Sequence, residues 1–160
     1  MPLLRKVVTV VEVWAAEAPR IGDVAEMSRE VSVRDIEVFT ELSGDRNPLH
    51  YDQDIAASTP FGEIIVQGGV TTAILNAVVA EQLPGPGSVF LQLDLRFLAP
   101  VRPGDTITGA VVVTGVRRDK PIANLDVRVT RDDDTCAVEG TAVTYTAAIG
   151  RPVQGSVSTK

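Results

Sequence analysis

Cysteine and histidine occur once each in this chain, as Cys136 and His50. One cysteine permits no intrachain disulfide. The two residues together also fall short of the ligand set of a zinc or cysteine-based metal site, so no metal or other cofactor is expected. Aromatic residues make up only 4% of the chain, and 15 Lys and Arg face 21 Asp and Glu for a net charge of −6. A surface short of cations and stacking rings is not built to grip nucleic acid. Also missing are a phosphate-binding P-loop, a dinucleotide glycine motif and a Ser-His-Asp set. No apolar run is long enough for a membrane span; the candidate at the N-terminus, "MPLLRKVVTVVEVWAAEA", is interrupted by Glu12. Its valine-rich stretch reads as an extra strand or a loosely attached arm, with a secretory signal as the alternative. Cys136 lies in "TCAVEGTAV" and reads as a small buried thiol of a strand. A lone cysteine fits a reducing, cytosolic setting.

What is present suits one globular domain. The chain has 160 residues, 44% of them hydrophobic and 22% charged, with no low-complexity tract and no repeat. We divide it into an arm over 1–20, a single domain over 21–150 and a polar tail over 151–160.

A strand is expected over 21–32, entered through the Gly22-Asp23 turn. Ser32 then caps a helix, with Asp35 supplying the acidic residue of a capping-box-like start. Val33, Ile36, Phe39 and Thr40 fall near one face of that helix, and Gly44 ends it. Residues 45–67 read as irregular, apart from a turn of helix around "DQDIAAS". "GGVTTAILNAVVAEQL" follows at 68–83, apolar on nearly every side, and such a helix is expected to be buried all round. "PGPG" at 84–87 stops it. Four alternating stretches come next, 88–101, 106–116, 122–130 and 135–148, separated by "RPGD", "RRDK" and "RDDD". Strands in succession with short turns imply an antiparallel sheet. The fold class is therefore α+β, a curved antiparallel sheet wrapped around one buried central helix.

The histidine stands in "LSGDRNPLHYD", residues 42–52. Asp, Asn, Gly and Pro are turn residues for local reasons, so a plain turn is one reading. The other begins from Asp45 and His50, a carboxylate and an imidazole five positions apart across a proline-stiffened loop. Such a pair can meet at one substrate atom or orient and deprotonate a water. No comparable constellation occurs elsewhere in the chain.

Beyond these local readings, "FTELSGDRNPLHYDQDIAA" closely resembles the hydratase motif of the MaoC-like (R)-specific enoyl-CoA hydratases, which have the hot-dog fold. Phe39, Ser43, Gly44, Asp45, Asn47, Pro48, Leu49, His50 and Ala56 meet the pattern. The resemblance continues through "FGEIIVQGGVTTAIL" and "LRFLAPVRPGDTITG", covering about residues 21–147. It implies a hydro-lyase acting on trans-2-enoyl-CoA, or in reverse on (R)-3-hydroxyacyl thioesters. Asp45 and His50 would activate water for addition to C3 and deliver a proton to C2, a syn addition. Asn47 would either bond the water or only shape the turn. The Gly68 N–H at the start of the central helix would hold the thioester carbonyl, with Gly69 admitting the ligand; the competing reading is glycines placed for packing. A helix N-terminus, with unpaired N–H groups and partial positive charge, suits a developing enolate oxygen.

Two departures stand out. Gln67 occupies the position where the family usually has histidine. Asn76 replaces a serine that often lines the site; as the one strongly polar residue mid-helix it is expected to need a partner or a ligand. Arg96, Arg102, Arg117, Arg118 and Lys120 are candidates for a local phosphate patch and equally ordinary surface charges. The implied partners are an acyl-CoA or acyl-ACP substrate and a second copy of the chain in a homodimer, with no nucleic acid and no membrane. An acyl-CoA thioesterase and a non-catalytic acyl-thioester-binding subunit are the alternatives.

Overall fold

The computed structural model describes residues 13, 14 and 16–149. Most of the expected arm and the whole expected tail lie outside them. Five strands form one antiparallel sheet in the order β1-β3-β4-β5-β2. They are β1 (Val24–Glu30), β2 (Ser88–Phe97), β3 (Thr106–Val116), β4 (Ile122–Arg131) and β5 (Cys136–Thr146). Three helices lie between β1 and β2 in the chain: α1 (Val33–Ser43), α2 (Gln53–Ala57) and α3 (Gly68–Glu81).

The period-2 pattern of the strands sets the core. Ile107, Val111 and Val113 of β3, Leu125, Val127 and Val129 of β4, and Val138 and Ala142 of β5 all face inward. They meet Val70, Ile74, Leu75, Val78 and Val79 of α3. The helix comes close because β3 places a glycine beneath it: a Cβ on Gly109 would stand 2.7 Å from the Ile74 Cγ2. This is the sheet wrapped around a central helix that the strand pattern implies.

Four expectations need correction. The turn at 102–105 does not close a hairpin, because β2 and β3 are not neighbours; β4 and β5 lie between them. Three strand spacings amount to roughly 14 Å, and the eight residues 98–105 reach about 27 Å when extended, so this connection crosses the end of the sheet. Its far end is tied to β1 by Gly104 N–H to Val31 O (2.7 Å) and Val31 N–H to Asp105 O (2.8 Å). The central helix is not buried all round: Gly68, Ala73 and Asn76 are exposed. The sheet covers one side of α3 and α1 another, leaving a stripe of small residues open. Finally, Val33 is 61% exposed although its helix neighbours Ile36 and Thr40 are buried, and Cys136 is half-buried rather than buried. Val33 sits in the first turn of α1, and the sulfur of Cys136 reaches the Val138 carbonyl at 3.4 Å.

Helix α1 begins as its sequence dictates. The Asp35 Oδ2 accepts from the Ser32 N–H (2.7 Å) and the Ser32 hydroxyl (3.0 Å), and Arg29 pairs with the same carboxylate. At the other end Gly44 adopts φ 79° and its N–H closes on Thr40 O, the left-handed cap that glycine tolerates. Burial works to raise the Asp35 pKa, but the Ser32 N–H, the Arg29 guanidinium and the Ser32 hydroxyl together hold it below its ordinary value. A depressed carboxyl stabilises the fold above the unfolded chain's carboxylate range, near pH 4, and loses that contribution as pH falls through the folded value. Asp35→Asn is therefore expected to cost about 1 kcal/mol at pH 7 and progressively less below pH 4. Urea unfolding midpoints at pH 7 and pH 3 check this, and an equal penalty at both would show that the charge plays no part.

Candidate active site

The loop after α1 is built from short side-chain-to-backbone bonds. Asp45 Oδ1 accepts the Asn47 N–H (3.0 Å), and Asn47 Oδ1 accepts the Leu49 N–H (3.2 Å), starting a single 3-10 turn at Pro48–His50. Asp52 does the same for Asp54 and Ile55 and starts α2. These are the local turns that Asp and Asn form in place of regular structure. Asn47 Oδ1 is thus engaged in shaping the turn.

With Oδ1 engaged, Asp45 presents Oδ2 to the His50 Nε2 at 3.5 Å. His50 is buried, and its other nitrogen, Nδ1, lies 2.7 Å from the Ile65 carbonyl oxygen. A carbonyl only accepts, so Nδ1 carries the proton, and Nε2 of the neutral ring holds a bare lone pair. Two acceptors, Nε2 and Oδ2, then face each other with no proton between them. A water lying against both acceptors would donate one hydrogen to each, the arrangement that polarises a nucleophilic oxygen.

The backbone that holds His50 also leads to the helix end. Past Ile65, the Val66 N–H bonds to Val101 O at 2.9 Å, which lays this segment beside the connection crossing the sheet. Between the two is a 330 Å³ cavity, lined among others by Phe61, Ile65, Gly68, Thr71, Phe97 and Leu98. Its walls are mainly apolar, and Gly68 brings the start of α3 to it. Val70 N–H and Thr71 N–H both turn back to Gln67 O. The Gly68 and Gly69 N–H groups donate to no described residue, as expected of a first helical turn.

The two glycines differ in their surroundings. A Cβ on Gly69 would fall 2.1 Å from Phe39 Cζ, so the ring of α1 occupies the space a side chain would need. A Cβ on Gly68 would meet Phe97 Cε1 at 3.0 Å, and that ring is 60% exposed on the cavity wall. Asn76 is exposed on the open stripe of α3, away from the buried environment expected for it. Gln67 is buried and points to α1: its Nε2 donates to Ile36 O (3.3 Å) and Thr40 Oγ1 (3.0 Å), while its Oε1 is buried without a partner among the described residues. Of the candidate phosphate-binding cations, Arg96, Arg102 and Arg117 pair with Glu139, Glu63 and Asp119.

Sequence reasoning missed Phe61, Thr71, Phe97 and Leu98 as cavity walls, and Thr40 and Tyr51 as partners of Gln67 and the loop. The clue for Thr40 was a hydroxyl on the inward face of an amphipathic helix, where an apolar residue is usual. Phe61 and Phe97 carried no signal beyond apolarity.

No helix among the described residues is long and apolar enough to cross a membrane. Comparison with known proteins bears on what this site belongs to. The chain is 39% identical over 129 residues to the (R)-specific enoyl-CoA hydratase of Aeromonas caviae, covering 81% of this chain and 96% of that protein. With the 3-hydroxybutyryl-CoA dehydratase of Methylorubrum extorquens it shares 39% identity over 105 residues, 66% of this chain and 67% of the relative. The solved structure of an (R)-hydratase from A. caviae superposes with a TM-score of 0.78 at 38% identity, covering 82% of this chain and all of the other. The sheet around its central helix is accordingly the hot-dog fold of those hydratases. A family model described as a MaoC-like domain matches residues 17–135, and the chain belongs to that family.

Proposed function

We propose that this protein hydrates trans-2-enoyl thioesters, and dehydrates (R)-3-hydroxyacyl thioesters in reverse, with Asp45 and His50 as the water-activating pair. The carrying observation is the pinned imidazole, whose bare Nε2 stands 3.5 Å from Asp45 Oδ2. Water held against both acceptors gives a proton to the pair as its oxygen attacks C3. Electron density passes to the thioester oxygen, which the Gly68 N–H and the positive end of α3 stabilise. The pair then returns one proton to C2, so that one water is consumed and the catalyst is restored. Delivery of both parts from the same side makes the addition syn. The kinship with hydratases and a dehydratase of CoA thioesters supports this substrate class. The 330 Å³ apolar cavity beside Gly68 suits an acyl group or the thioester end of its carrier, coenzyme A or acyl carrier protein. A reducing, cytosolic setting fits the single cysteine.

A second copy of the chain is part of this proposal. Among the described residues, strand β2 lies at the sheet edge with its outer ladder unpaired, and Val89, Leu91 and Phe97 on it are 54%, 57% and 60% exposed. The opposite edge, β1, is shorter and carries Glu26, Arg29 and Glu30. β2 carries Asp94 and Arg96 as well, but it is the longer edge with the more exposed apolar residues, and such an edge invites pairing where a short charged one resists it. We assign β2 as the dimer edge, with the open stripe of α3 as the other surface a partner would meet.

Purified protein mixed with crotonyl-CoA is expected to consume the enoyl absorbance without releasing free thiol. Asp45→Asn and His50→Ala should each lower kcat by about 10²–10⁴-fold. Hydration that survived both changes would exclude this mechanism, and thiol release in its place would indicate a thioesterase. Paired Leu91→Glu and Leu93→Glu substitutions should convert a dimer to monomer by sedimentation. A dimer that persisted would move the interface elsewhere.

A further inference from the structure

One hydroxyl joins the parts of the site. Thr40 Oγ1, on the buried face of α1 and 4% exposed, has three neighbours within hydrogen-bond distance. It donates to Asp45 O at 2.8 Å. Having a single hydrogen, it must then accept from the other two: from the Gln67 Nε2 at 3.0 Å and from the Tyr51 phenol. Its one donor and two lone pairs are all used.

The identities of these partners matter more than their number. Asp45 is itself one of the water-activating pair, Tyr51 follows His50 in the chain, and Gln67 precedes Gly68 and caps α3. Both ends of the Asp45–His50 loop and the N-terminus of α3 therefore converge on one oxygen. The loop needs such a tie, because from Gly44 to Asn47 the backbone belongs to no regular element. Asp45 is also 39% exposed at its side chain, so packing alone does not hold it. Gln67 reaches the Ile36 carbonyl one turn earlier on α1, so the cap of α3 is gripped at two points of that helix.

We propose that the Thr40 hydroxyl is a positioning group, holding the water-activating loop and the oxyanion end of α3 at one fixed separation through Asp45 O, Tyr51 and Gln67. This rests on the hydration reading above. It acts in the chemical step, because the separation it sets is that between the proton carrier near C2 and C3 and the donor at the thioester oxygen. It makes no contact with the cavity that binds the acyl group. A misplacement of about 1 Å between such groups costs on the order of 10²-fold in rate.

Thr40→Val keeps the shape and removes the hydroxyl. With crotonyl-CoA it should lower kcat by about 30–100-fold while KM stays within about 2-fold. Thr40→Ser, which restores the hydroxyl, should recover kcat to within about 5-fold of the wild type. Tyr51→Phe, at a half-exposed position that leaves folding intact, should lower kcat alone and add little further loss to Thr40→Val, as members of one network do. All are measured well below each variant's Tm, so that lost stability does not pass for lost rate. A Thr40→Val enzyme with lowered Tm but wild-type kcat, or one altered only in KM, would overturn the proposal while leaving the hydration reading intact. If Thr40→Val does not fold, unchanged kcat in Tyr51→Phe overturns it. A wild type that hydrates nothing removes both the reading and the proposal.

Discussion

The bond between His50 Nδ1 and the Ile65 carbonyl is the constraint from which the chemistry of the site follows. At 2.7 Å from a group that only accepts, the ring has one choice of neutral tautomer. That choice strips Nε2 of its hydrogen and turns it toward Asp45. Were the proton on Nε2, it would be shared with the Asp45 carboxylate and a water would meet one acceptor instead of two. The same carbonyl belongs to the segment that runs to Gln67 and the start of α3, so the proposed base and the proposed oxyanion donor share a stretch of backbone. Fixing the ring and placing the helix are consequences of one local path.

That path explains why much of the site was legible in the sequence. Asp45, Asn47, Pro48 and His50 form a compact motif whose residues bond chiefly to one another, and local geometry follows from local chemistry. The capping of α1, the break at 84–87 and the alternating strands are likewise short-range properties. Long-range pairing was less visible. Nothing near the turn at 102–105 says that β4 and β5 will be inserted between β2 and β3. The pairing is decided by which strands complete the sheet around α3. Asn76 was misjudged for a related reason: helical periodicity measures how apolar a face is, not whether an element is present to cover it.

The departure at Gln67 shows how a conspicuous residue and an inconspicuous one become a unit. Read alone, Gln67 is a substitution beside a glycine, and Thr40 is one polar residue in an amphipathic helix. In the fold they are buried against each other, and a buried amide must find partners. Its nitrogen side is satisfied by α1, whereas its oxygen has no described partner. A neighbourhood built around a glutamine amide differs from one built around an imidazole, because the amide offers two hydrogens from one atom and reaches two points on a helix at once.

The connection that crosses the end of the sheet has an evolutionary consequence. Residues 98–101 wall the cavity beside Gly68 and belong to no ladder of the sheet. A change in this bridge would alter the room beside Gly68. The same residues are anchored to the fold: Leu98 N–H donates to Ala137 O, Pro100 O accepts from Arg131, and Val101 lies in the core. The room beside Gly68 would thus be tuned by substitutions along the bridge that keep those anchors.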